Sequence, residues 1–322
     1  MVSPLVKYCY CPPYADTLSH HISQHLAHDA HAHELSEGVI LKIAVNAFQA
    51  DNMPDVVKHG SLADRALALQ PRQHHVFVLD RLRGPDENRT AVRIVRLHGA
   101  PGQPHGVIRA FVKRARRLKG TSAAATQLLG YSQFSLFRNR DTYTVDEAEA
   151  IDIFFELRND IERLSLAQYF CEICSVLGTE GSSAADELRL TLNCLHMLAR
   201  NSTLPPIMIK AIFEMRMAAI SGFMPELHGC LRCEDTEGEM FFNLNEGVIF
   251  CGKCAQNGCK PLPKGVLAAL RHICSCPLER AFSFSLSDEG LHILSEITEQ
   301  YLMAQVDHDF TALAFYKSLF EL

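Results

Sequence analysis

Tryptophan is absent from the 322 residues, with no structural consequence, but other absences exclude whole classes of function. No stretch approaches the roughly 18 consecutive apolar residues of a membrane span, so the chain is not expected to cross a bilayer. Residues 1–21 (MVSPLVKYCYCPPYADTLSHH) lack an apolar core behind a basic start, so an export signal is not expected either. Common enzyme signatures are missing: there is no G-x-x-x-x-G-K-[ST], no G-x-S-x-G, no H-E-x-x-H and no G-x-G-x-x-G. A zinc deaminase would need H-x-E ahead of P-C-x-x-C, yet Gly229 precedes Cys230 and no H-x-E lies nearby. The expectation is a protein that is not an enzyme. The most informative lack is of acid: residues 105–140 carry eight Lys/Arg and no Asp or Glu.

That block has a net charge of +8. It follows residues 1–104, with ten charges of each sign, and precedes residues 141–322, with 13 basic against 27 acidic and a net of −14. Such segregation points to a local polyanion site, the alternative being a solvated, variably charged face. The 12 cysteines are few for a chain this long and are clustered, unlike a secreted disulfide scaffold. They read as reduced thiols with a metal among them, which places the protein in the cytoplasm.

Residues 1–35 crowd His20, His21, His25, His28, His31 and His33 into a short stretch with few large apolar neighbours. His21 and His25 have the helical spacing of a metal pair, but a disordered His-rich leader is the expectation. Residues 38–45 (GVILKIAV) read as a strand. Residues 48–104 turn rich in His, Arg, Pro and Gly and read as an atypical insertion or an out-of-frame stretch. Within them only residues 76–79 and 91–97 look strand-like, with no turn chemistry tying them into a hairpin.

Residues 107–113 (VIRAFVK) alternate. Ile108, Ala110 and Val112 share one face, and Arg109, Phe111 and Lys113 the other. Arg114, Arg116, Arg117 and Lys119 follow in the expected exit loop, and residues 130–138 and 142–145 form a second strand pair. Short strands with one basic, aromatic-bearing surface suggest a small β-barrel of the OB-fold type over residues 36–150. After Ile151 the period becomes helical. Ile161, Leu164, Ala167, Cys171, Cys174 and Leu177 form one stripe ended by Gly178, and Leu188, Leu192, Leu195 and Leu198 form a second. Pro205 and Pro206 announce a helix over 207–220, and Ser287 caps another over 288–306.

Residues 151–322 are therefore mostly helical, with one interruption at about 226–260: Cys230-x2-Cys233, then Cys251-x2-Cys254. Two residues between thiols let one tight turn present both sulfurs to an ion, and two such turns complete a tetrahedral shell suited to zinc. Strand-like residues 240–244 and 248–250 flank Asn245-Glu246-Gly247, a hairpin that brings the turns together. Gly229 and Gly252 are expected to supply positive φ at these turns, and Arg232 and Lys253 to offset the charge of four thiolates. A full sulfur shell leaves no position for water, so one structural Zn2+ per chain is expected, iron–sulfur ligation being the less favoured option. Cys171-x2-Cys174 lies on a helix stripe and reads as core.

The segments 106–117 (GVIRAFVKRARR), 143–151 (YTVDEAEAI), 157–164 (LRNDIERL), 222–233 (GFMPELHGCLRC) with Cys251–Cys254, and 313–319 (LAFYKSL) together resemble the bacterial RecO family. The resemblance covers about residues 105–322. It implies an α+β protein: an N-terminal OB-fold, then an α-helical domain with a zinc-ribbon insertion. It also implies a recombination mediator in DNA repair. Such a protein would bind single- and double-stranded DNA, anneal strands, and work with RecR to load RecA onto DNA coated by single-stranded-DNA-binding protein (SSB), whose C-terminal tail it would contact. Arg109, Lys113, Arg114, Arg116, Arg117 and Lys119 would then meet phosphates, and Phe111 either a base or the barrel interior. The competing readings are a zinc-ribbon adaptor without annealing activity, and a hydrolase or deaminase with an unrecognised site. A bacterial cytoplasmic, nucleoid-associated location follows.

Overall fold

In a computed structural model of the chain, the residues described are 72–83, 89–96, 106–113, 124–139, 142–178, 184–200 and 203–320. For residues 72–83, 89–96, 106–109, 113, 138–139 and 142 this is the backbone alone. The His-rich leader, the strand expected at 38–45, and Arg114, Arg116, Arg117 and Lys119 lie outside the described residues.

Five strands come first: β1 (Arg72–Arg83), β2 (Arg89–Arg96), β3 (Gly106–Lys113), β4 (Tyr131–Asn139) and β5 (Thr142–Asp152). They close into a barrel in the order β1-β2-β3-β5-β4, every pairing antiparallel except β3 with β5. The expectation that residues 76–79 and 91–97 lack a hairpin partner is overturned, because β1 and β2 pair with each other. Both strands run on through charged residues that an apolar-run reading discounts, so the connection shrinks to residues 84–88 (GPDEN), which are turn-forming types. Ala110, Val112, Phe134, Leu136, Val145 and Ala148 fill the barrel, as the alternation of residues 107–113 predicts. Ala125 joins that core, and Ser132 Oγ donates to Ala125 O at 2.8 Å, so the segment before β4 caps the barrel.

Helices follow: α1 (Ile161–Leu177), α2 (Ala185–Arg200) and α3 (Pro206–Ile220). The apolar stripe of α1 is buried at Ala167, Cys171 and Cys174, but Ile161 is exposed. Gly178 ends α1 with φ −69°, so extended backbone rather than a left-handed turn stops it. Pro206 stands in the first turn of α3, where a missing N–H costs nothing. The barrel meets the helices at a stitched junction. Phe154 adopts φ 43° with its ring fully buried among helical side chains, and its N–H donates to Asp152 Oδ1 at 2.9 Å. Arg200 of α2 holds Asp152 Oδ2 at 2.8 Å, and Arg158 donates to Leu128 O at 3.3 Å.

A three-stranded sheet interrupts the helices: β6 (Met240–Asn243), β7 (Val248–Cys251) and β8 (Lys260–Leu262), in the order β7-β6-β8. The third strand was not anticipated, nor were the helices α4 (Lys264–Ser275) and α6 (Thr311–Ser318). Between them lies α5 (Asp288–Gln305), where the Ser287 side chain accepts from Gly290 N as expected of an N-cap. Helices and small sheet share one hydrophobic core, in which Phe170 stacks on Phe213 at 4.0 Å. Among the described residues, no helix is long and apolar enough to cross a membrane.

Candidate metal centre and nucleic-acid face

The sheet exists to hold two turns against each other. In the first, Glu234 N donates to Cys230 O at 2.8 Å and Cys230 N to Asp235 O at 2.8 Å. In the second, Cys254 N and Ala255 N both donate to Cys251 O at 2.9 Å. Leu231 N donates to Ile249 O at 2.9 Å and ties the first turn to β7, which carries Cys251. The glycines act differently from expectation. Neither Gly229 nor Gly252 has positive φ; the left-handed position beside the first turn belongs to Glu234 (φ 59°). Gly229 is required by space, since a Cβ there would stand 3.2 Å from Glu234 O and Asp235 O. Gly247 does need its freedom. At φ 68° it turns the hairpin against Tyr301, whose hydroxyl would meet a Cβ at 2.8 Å.

The outcome is one sulfur cluster. The Sγ atoms of Cys230, Cys233, Cys251 and Cys254 all lie within 4.8 Å of one another, with Cys233–Cys251 at 3.6 Å and Cys233–Cys254 at 3.7 Å. A tetrahedral ion with Zn–S bonds of about 2.3 Å would set its sulfurs about 3.8 Å apart, so the spacing fits that ion. The electrostatics ask for a cation too. Burial works to raise the Cys230 thiol, but backbone N–H groups of Cys251, Cys233 and Arg232 outweigh it and bring it to about 6. The Cys233 and Cys251 thiols crowding Cys254 push it up to about 12. One thiolate is thus prepared by the backbone, and the raised thiols of Cys233 and Cys254 are brought down by a positive charge among them. Arg232 stands with its guanidinium 5.8 Å from the Phe250 ring.

On the barrel, Arg109, Phe111 and Lys113 occupy alternate positions of β3. Ala110 and Val112 between them are buried, so these three belong to the face away from the interior, with Phe111 half-buried. The register adds two residues that the sequence reading missed: Arg93 stands opposite Arg109, and Arg89 opposite Lys113. Arg89 and Arg93 fall on one face at a period of two, with Val92 and Ile94 on the other, a pattern hidden because the surrounding stretch reads as an insertion.

Inside the helical core lies a charged network that the sequence reading did not find. Lys210, 1% exposed, sits 2.9 Å from Glu214 Oε1 and 2.9 Å from Glu299 Oε2, and donates to Ser295 Oγ at 3.1 Å. Tyr169 and Thr298 donate to the two Glu214 oxygens at 2.9 and 2.8 Å, and Lys317 reaches Glu299 at 2.7 Å. Burial lowers Lys210, but Glu214 and Glu299 outweigh it and raise its pKa. Lys210 and Glu214 are i,i+4 on α3, where Met208, Ile209, Ile212 and Met215 surround them in sequence and conceal them. Cys174 also lies buried, its Sγ 3.2 Å from Thr191 Oγ1.

Comparison with known proteins adds the following. The family model described as "Recombination protein O C terminal" matches residues 158–314. A protein named "DNA repair protein RecO" from Acetivibrio thermocellus is 34% identical over 217 residues, covering 66% of this chain and 86% of its own length. Proteins of the same name from Alkaliphilus metalliredigens and Pelotomaculum thermopropionicum are 28% identical over 218 residues and 29% over 214. They too cover 66% of this chain, and 88% and 82% of their own lengths.

Proposed function

Because the chain belongs to the RecO family of DNA repair proteins, we propose that it is a recombination mediator. In this reading it binds and anneals single-stranded DNA, binds duplex DNA, and with RecR assists RecA loading on SSB-coated strands. It acts without catalysis in the bacterial cytoplasm, associated with the nucleoid. The observation that carries the reading is the 34% identity over 217 residues, a span longer than the helical region that the family model matches.

The five-stranded barrel is read as the OB-fold, a scaffold that suits strand-like nucleic acid. Its β3 supplies Arg109 and Lys113 to phosphates and Phe111 to a base, with Arg114, Arg116, Arg117 and Lys119 continuing the basic run. Phosphate and π-face contacts read no bases, so binding is indifferent to sequence. The four thiols hold one Zn2+, supported by sulfur spacings of 3.6 and 3.7 Å. A full shell makes it structural: it clamps the ribbon, residues 226–260, against α5. The acidic SSB tail must find a local basic and apolar patch on residues 141–322, which carry a net −14.

The test is annealing of complementary strands coated with SSB, together with the salt dependence of single-strand binding. With four or five cations engaged, log K falls against log salt with a slope of roughly −3 to −3.5. A flat response with no annealing overturns the proposal and favours the zinc-ribbon adaptor.

A further inference from the structure

The two sulfur-bearing turns are anchored unequally. Cys251 lies on β7 and Cys254 just beyond it, so the second turn takes its place from the sheet. The first turn lies outside every strand, and the spacings of 3.6 and 3.7 Å from Cys233 to Cys251 and Cys254 run between the turns. Whatever holds residues 226–230 therefore decides whether the four sulfurs meet. Glu226 opens this segment, its N–H donating to Gly247 O at 2.7 Å in a parallel bridge beside Val248. The next two carbonyls both accept from one guanidinium. Arg271 of α4 donates through Nε to Leu227 O at 2.7 Å and through Nη2 to His228 O at 2.8 Å. The His228 side chain is 97% exposed, so it is the backbone that α4 grips. Gly229 then passes close under the carbonyls of Glu234 and Asp235, and Cys230 follows.

We infer that Arg271 is a positioning residue for the metal centre: its planar fork fixes the backbone ahead of Cys230 and so holds the Cys230–Cys233 turn against Cys251 and Cys254. This inference rests on the zinc reading above and deepens it. A guanidinium presents its N–H groups from one rigid plane and fixes both carbonyls at once, whereas a flexible ammonium is a point charge without that fork. His228 stands two residues before Cys230, at most about 7 Å of chain, too short to absorb a displaced carbonyl. Leu231 N on Ile249 O ties the turn to β7 at one point, about which it could still pivot. The fork, applied three residues earlier, removes that freedom. Partners that orient metal ligands indirectly typically change affinity about 10–100-fold when removed.

The test is competition for zinc between the full chain, reduced, and a chromogenic chelator. Arg271→Lys keeps the charge and loses the fork, and should weaken zinc binding about 10-fold or more, as Arg271→Gln should. Loading with Co2+ adds a readout of shape, because the visible bands of tetrahedral sulfur-bound cobalt should weaken or shift in both variants. Gln305→Leu is the control for a loosened ribbon. Gln305 of α5 donates to Leu244 O at 2.9 Å, at the end of the hairpin far from Cys251, and its loss should leave affinity and bands unchanged. Either Arg271 variant that keeps its helical circular dichroism suffices for the comparison. Arg271→Lys with wild-type affinity and bands overturns the inference and leaves the zinc reading standing. Gln305→Leu weakening zinc as much as Arg271→Lys does the same. A wild type that takes up neither zinc nor cobalt overturns the zinc reading, and the inference with it.

Discussion

Replacing Lys210 with methionine should cost this protein more than any comparable change on its surface. The ammonium is 1% exposed and contacts two carboxylates at 2.9 Å, one of which, Glu214, is fully buried. Methionine fills most of the space but leaves Glu214 with only Tyr169 and Thr298 as donors. Breaking a buried pair by removing one partner costs about 3–5 kcal/mol, because the other charge stays uncompensated.

The pH dependence carries the sign of that argument. In the wild type, Lys210 and Tyr169 both have folded values above their ordinary 10.5 and 10.0, so their contributions are complete below about pH 10 and lost as pH rises further. In Lys210→Met, Glu214 becomes the dominant titrating group. Burial already raises it above its ordinary 4.5, and losing Lys210 raises it further. A raised carboxyl destabilises progressively as pH rises through that range, so the variant should be more stable at pH 5 than at pH 7. Adding Glu214→Gln should recover at least half the loss, because Glu299 keeps Lys317 at 2.7 Å. Urea unfolding followed by circular dichroism at pH 5, 7 and 10.5 measures all three effects. A single variant within about 1 kcal/mol of wild type and flat from pH 5 to 7 would refute the reasoning.

Two other outcomes test the ribbon. Freshly purified, reduced protein should carry one zinc per chain, and Cys251→Ser should lose it and lower the melting temperature without changing DNA affinity in the folded fraction. Metal analysis without stoichiometric zinc contradicts this. Gly247→Ala should cost about 2–3 kcal/mol: about 1–2 for a left-handed alanine and about 1 for displacing Tyr301, whose hydroxyl donates to Phe223 O at 2.9 Å. Gly238→Ala, at φ 89° with nothing within 4 Å of its Cβ, should show the backbone cost alone, and equal losses in the two variants would remove Tyr301 from the account.

Local chemistry made much of this protein legible. Cys230, Cys233, Cys251 and Cys254 declare their convergence through spacing, since two intervening residues suffice to aim two sulfurs at one point. Ser287 and Pro206 mark helix starts through backbone groups within a few residues, and the alternation around Ala110 and Val112 follows from the pleat. All of these depend on neighbours in sequence, so sequence alone determined them. Three features depended on neighbours in space. Arg89 stands opposite Lys113 and Arg93 opposite Arg109 through the register of β2 on β3, which no local pattern specifies. Lys210 becomes tolerable in an apolar helix because Glu299, 89 positions later, reaches it. Gly229 is required by carbonyls that fold back on it rather than by its own φ. Strand partners, buried countercharges and close approaches are settled only when distant segments meet, and that meeting belongs to the tertiary structure.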